Sequence, residues 1–110
     1  MTFKKPLLVL SLTLSLAIAA PAALAAEKIA VLTSLTDLAG AASQIGLERV
    51  EANALLNGTE NPHFVDARPD MIKKVSRAQV FCQVGMQLEI GWVPKVLQRS
   101  GNAQVQPGGA

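Results

Sequence analysis

The sequence predicts an α/β fold: a mainly parallel sheet with flanking helices. Two observations carry this expectation. Strand-like segments begin near Lys28, an apolar run rich in β-branched residues, and near Val50 and Val80, where apolar residues alternate, and segments with apolar residues three and four apart follow each of them. Strands that alternate with helices imply right-handed crossovers and parallel pairing.

The elements of this pattern start after a different kind of segment. Lys4 and Lys5 form a positive start, an apolar run extends from Leu7 to Ala20, and Pro21 precedes Ala23-Leu24-Ala25. That order is the one read by a signal peptidase, so residues 1–25 are expected to be a signal peptide, cut after Ala25 or, as second choice, after Ala26. The run of 14 residues is short of the roughly 20 that a spanning helix needs. With no cysteine near the cut, the lipid attachment used by bacterial lipoproteins has no acceptor thiol. An exported product without a stable membrane anchor is expected.

The 110 residues carry a formal charge of +2. Residues 26–110 hold eight basic and eight acidic side chains, so the excess belongs to Lys4 and Lys5. A neutral remainder argues against a nucleic-acid partner. A single cysteine excludes a disulfide scaffold.

Lys28-Ile29-Ala30-Val31-Leu32-Thr33 reads as a buried strand. Ser34, with Asp37 three residues on, has the spacing of a helix capping box. Leu35, Leu38, Ala39, Ala42 and Ile45 then form a helical stripe that Gly46 can end. Val50, Ala52, Ala54 and Leu56 alternate with polar residues as on a half-buried strand, and Asn57 to Arg68 form a polar loop. Pro69 can open a helix, with Met71, Ile72, Val75 and Ala78 on one face. Val80 to Val84 reads as a third strand with Val80, Cys82 and Val84 pointing one way. The spacing of Leu88, Trp92 and Val96 predicts a last helix from about Trp92 to Arg99, with Pro94 tolerated in its first turn. Asn102 to Ala110 reads as a loop leading elsewhere, and the abrupt glycine-rich end suggests a fragment.

Chemistry has few carriers here. The one histidine, His63, lies in the loop beyond the carboxyl end of a strand, where α/β proteins bind ligands. It could be a metal ligand, a general base or a surface residue. Glu60, Asp66 and Asp70 surround it in sequence and read as solvated carboxylates, Asp70 also suiting a first helical turn. Cys82 in an apolar strand reads as a small buried hydrophobe rather than as a nucleophile paired with His63. Asn57-Gly58-Thr59 matches the glycosylation triplet, a weak signal. Trp92 reads as a packing residue. No phosphate loop, dinucleotide fingerprint, zinc cysteine pair or nucleophile elbow occurs, so no enzyme is expected.

Five pieces in order resemble the metal-binding solute-binding proteins of ABC importers. They are Val31-Leu32-Thr33-Ser34-Leu35-Thr36-Asp37-Leu38-Ala39; Ile45-Gly46-Leu47-Glu48-Arg49-Val50, similar to an IGG-x-x-V passage; Asn61-Pro62-His63, similar to Asp-Pro-His; Arg68-Pro69-Asp70 with Arg77-Ala78; and Gly85 to Trp92, similar to GLxLExW. The resemblance implies a periplasmic protein of two α/β lobes joined by a long helix, with a divalent metal held in the cleft, zinc ahead of manganese or iron, and delivered to a membrane ABC permease. It makes residues 26–110 a partial N-terminal lobe, with the second lobe and linking helix absent. It makes His63 the first metal ligand, with Asn61, Glu60 and Asp66 as possible supporting residues, and places the remaining ligands beyond Ala110. Asn61 in place of an acidic residue, Gly91 and Pro94 near the last helix, and the lack of a long histidine-rich loop depart from the family pattern. A histidine must be neutral to coordinate, so the implied capture weakens in acid.

Overall fold

The computed structural model describes Thr2 and residues 25–108. The expected signal peptide therefore lies, save for Thr2 and Ala25, outside the described residues. The elements run in the order β1 (Ile29–Thr33), α1 (Thr36–Gly46), β2 (Val50–Ala54), α2 (Pro69–Val75), β3 (Val80–Cys82) and α3 (Val93–Ser100), with short 3-10 turns at Leu47–Arg49 and Ala103–Val105. Among these residues no helix is long and apolar enough to cross a membrane.

The three strands form one parallel sheet in the order β2-β1-β3, as expected of the fold class. Register pairs Val31 with Ala52 and Val80, and Leu32 with Asn53 and Phe81. Because side chains alternate along a strand, Leu32 and Phe81 share one face and Val31, Thr33, Val80 and Cys82 share the other. The first connection moves to one side of β1 and the second to its other side, so right-handed crossovers place α1 and α2 on opposite faces.

The main core lies on the Leu32 face. Leu32, Leu55 and Leu56 pack with Met71 and Val75 of α2 and with Trp92, Val93, Val96 and Leu97 around α3, and Phe81 adds a partly buried ring. Burying one such side chain is worth about 1.5–3 kcal/mol. The backbone ladder continues past β2, since the amides of Leu55 and Leu56 donate to the carbonyls of Thr33 and Ser34. This draws the two leucines under the helices.

Four local readings differ from what forms. Ser34 does not cap α1. The cap position is Leu35, with no side-chain hydrogen bond, and Ser34 is fully buried with its hydroxyl committed elsewhere. The helical stripe is only half-buried along Leu35 to Ala42, and Ile45 is 85% exposed, because α1 packs against small residues of β1 and the edge strand β2. The third strand is shorter than Val80 to Val84, and Cys82 is exposed rather than buried. It occupies the sheet face that α1 shields, but α1 reaches over β1 and β2 and leaves β3 open.

The fourth difference is at the end of the chain, where 102–108 fold back. The Asn102 amide donates to the carbonyls of Val75 and Ala78 at 2.9 and 2.6 Å, adding to the Ala78 amide at the first and supplying a donor to the second just past the end of α2. Val105 is buried in the core. Two other boundaries follow the sequence closely. Pro69 opens α2 and Pro94 sits in the first turn of α3, where no amide is needed. Gly101, at φ 65°, ends α3 in the left-handed conformation.

Candidate functional site

The loop from Asn57 to Arg68 leaves the carboxyl end of the sheet and is built almost wholly from its own side chains. Asn57 Oδ1 accepts from the amide and hydroxyl of Thr59 at 3.0 and 2.8 Å, closing the first turn. Glu60 Oε1 pairs with Arg68 Nη1 at 2.6 Å, and Glu60 Oε2 accepts from the Asn57 amide at 3.3 Å. The guanidinium of Arg68 and the Asn57 amide hold the Glu60 carboxyl below its usual range. One carboxylate thus braces the entry and exit of the loop, and Arg68 also approaches Asp70 at 3.4 Å.

At the tip, Asn61 folds over His63. Its Oδ1 accepts from the His63 backbone amide at 3.0 Å and faces Nδ1 of the ring at 3.3 Å. An oxygen that already accepts from the backbone can only accept again, so a hydrogen bond at this contact requires the proton on Nδ1, the tautomer that leaves the lone pair on Nε2. His63 is exposed, which leaves Nε2 open to a ligand from outside. The Phe64 ring beside it, 6.1 Å between centroids, is 85% exposed.

The loop is tied to the body at a point next to the histidine. The indole Nε1 of the fully buried Trp92 donates to the Pro62 carbonyl at 2.8 Å. The Gly91 Cα lies against the His63 carbonyl closely enough that a Cβ there would come within 3.8 Å of it.

The structure therefore brings together Asn61 and His63, but not the whole set expected around them. Both oxygens of Glu60 are engaged by Arg68 and Asn57, and Asp66 is exposed and makes no side-chain hydrogen bond among the described residues. Cys82 stands exposed on β3, whereas the ring partner of His63 is Asn61. No group of three His, Cys, Asp or Glu side chains among the described residues could hold a metal ion. A groove of about 620 Å³ lies between the sheet and α2, lined by Glu51, Asn53, Asp70, Lys73, Lys74 and Arg77, apart from the histidine.

Sequence reasoning missed one polar centre. Glu89 is 2% exposed and accepts from Ser34 Oγ at 2.6 Å and from the amides of Val84 and Gly85 at 2.9 and 3.1 Å. It fills the crevice between the carboxyl ends of β1 and β3, the point where the direction of strand succession reverses. An acidic residue flanked by Leu88, Ile90 and Trp92 was the available signal, since an acid in an apolar stretch needs partners if buried.

Residues 31–108 match the family described as zinc-uptake complex component A, periplasmic. The chain belongs to this family. The fold agrees with that of a solved structure, Zn(II)-bound AdcA from Streptococcus pneumoniae, at 20% identity and a TM-score of 0.59 over 73% of this chain. The match spans 17% of the length of that protein. No curated protein sequence matches. The family's description makes its members components of a zinc-uptake complex.

Proposed function

We propose that this member of the zinc-uptake family contributes one histidine to the capture of a divalent metal ion in the periplasm, zinc ahead of manganese or iron, for transfer to an ABC permease. The metal is cargo, and His63 holds it through Nε2. The observation that carries this reading is the Asn61–His63 arrangement, with Nδ1 facing an acceptor and Nε2 free. Metal-bound histidines regularly donate their second ring N–H to such a partner, which fixes the ring and raises the basicity of the coordinating nitrogen.

A tight zinc site takes about four ligands, three of them from protein even when one position stays open. His63 is the sole histidine of the chain, and among the described residues no second ligand converges on it. The remaining ligands come from residues outside residues 26–110, which make part of one lobe, while 1–25 direct export. Asn61 orients the ring, and Glu60 shapes the loop through Arg68 rather than touching the metal.

Calorimetric titration of the chain with zinc is expected to show binding no tighter than that of a lone surface histidine, abolished in His63→Ala. Stoichiometric submicromolar binding lost in the same variant would show that the chain builds an entire site by itself. Zinc leaving the His63 ring resonances unmoved would remove this residue from the ligand set.

A further inference from the structure

The ligand loop has no helix or strand of its own, yet its tip is held in a definite place. Apart from the bonds inside the loop, the polar attachment next to His63 is the one from Trp92 Nε1 to the Pro62 carbonyl, at 2.8 Å. Trp92 is fully buried, so the donor cannot exchange this partner for water. A buried indole N–H without an acceptor would be costly. The bond thus constrains the loop as strongly as it satisfies the tryptophan.

Trp92 is in turn fixed to the sheet. Its backbone amide and that of Val93 donate to the Glu89 carbonyl at 3.2 and 3.0 Å. The Glu89 side chain is bonded to Ser34 after β1 and to Val84 and Gly85 after β3. A continuous set of hydrogen bonds therefore runs from the carboxyl edge of the sheet through Glu89 and Trp92 to Pro62, the residue before His63. Because Pro62 also restricts Asn61 to extended backbone, a constraint at its carbonyl acts on both members of the Asn61–His63 pair.

We infer that Trp92 is a positioning residue for His63: through the Pro62 carbonyl, and anchored by Glu89, it holds the Asn61–His63 turn so that Nε2 points outward in one orientation. The metal consequence rests on the proposed role of His63 as a ligand. The positioning itself is a property of the metal-free chain. Freedom of the turn would lower affinity without removing any ligand, because the ordering would then occur at the moment of binding.

The test uses the full chain labelled with nitrogen-15. In Trp92→Phe, which keeps an aromatic body and lacks the N–H, hydrogen exchange at the His63 and Phe64 amides should accelerate about tenfold, the effect of losing the net contribution of one hydrogen bond. The ring nitrogen shifts should report loss of the Nδ1–H tautomer at a pH where the imidazole is neutral. Leu97→Ala, a core truncation on the same helix away from Pro62, should leave both signals unchanged. Equal loosening in Leu97→Ala, or none in Trp92→Phe, would overturn the inference. Should Trp92→Phe fail to fold, the wild-type indole proton decides: exchange as slow as that of the core supports the bond, and exchange as fast as an exposed indole refutes it. Zinc added to the wild type reads the ligand role separately. An unmoved Nε2 signal would sink that role while the metal-free measurements still decide the positioning.

Discussion

Ser34 Oγ donates to Glu89 Oε1 at 2.6 Å across 55 positions of sequence, joining the end of β1 to the turn before α3. Both residues are buried, and the same carboxyl group also takes the amides of Val84 and Gly85. Glu89→Gln would turn an amide NH₂ toward one of these donors and leave that donor unpaired in a partly buried site. The expected cost is about 1–3 kcal/mol, seen as a lower urea midpoint. Ser34→Ala removes one donor from a carboxyl that keeps two others and should cost less. Equal stability of Glu89→Gln and wild type would contradict the network.

The contrast with what could be read from sequence is sharpest at this pair. Strand and helix faces depend on alternation within a few residues, and the runs at Ile29–Thr33 and Val50–Ala54 and the face of Met71 and Val75 emerged as expected. Ser34 followed the same local logic toward a capping box, but its partner is supplied by chain topology, which spacing does not encode. Cys82 shows the same limit in reverse. Its strand pattern is real, and its exposure depends on how far α1 extends across the sheet. The Asn61–His63 contact, by comparison, is confined to three residues. The tie from Trp92 to Pro62 joins groups 30 positions apart.

Asn102 does for α2 what a cap does for a helix end. Its single amide serves the carbonyls of Val75 and Ala78, and its Oδ1 accepts from the Gln104 amide. Asn102→Ala should therefore destabilise the chain by about 1–3 kcal/mol, because the Ala78 carbonyl loses this donor while that of Val75 keeps only the Ala78 amide. Faster proteolysis of the segment after Gly101 should accompany it. A free, unpacked tail would show neither effect.

The Glu60–Arg68 pair sets an acid limit on the loop. The folded-state pKa of Glu60 is depressed, first by the hydrogen bond from Arg68 and then by that from the Asn57 amide. A depressed carboxylate contributes its order above the unfolded value, 4.5, and loses it as pH falls through the lower folded value. The Asn57 and Arg68 N–H signals should thus keep their positions above that range and move toward loop-like values below it. Glu60→Gln should show the looser loop at neutral pH and no further acid step. The pair is partly solvent-accessible and confined to the loop, so the change should stay within residues 57–68 with little effect on global unfolding.

Asn61 stands where the family resemblance places an acidic residue, and the consequence for metal capture has a definite sign. Its amide oxygen is a neutral acceptor, 3.3 Å from Nδ1. A carboxylate at the same position would make a shorter, charge-assisted bond to Nδ1–H, fix the tautomer that frees Nε2, and add a negative charge beside the incoming cation. Outer partners of metal-bound histidines change affinity by about 10–100-fold. Asn61→Asp is therefore expected to tighten zinc binding about tenfold, at the lower end of that span, because the wild-type amide already supplies part of the orientation. Asn61→Ala should weaken it, and neither change should matter once His63 is replaced by alanine. Calorimetric titration with zinc measures all of these variants. Equal affinities for Asn61→Asp, Asn61→Ala and wild type would mean that the contact at Nδ1 has no part in presenting Nε2.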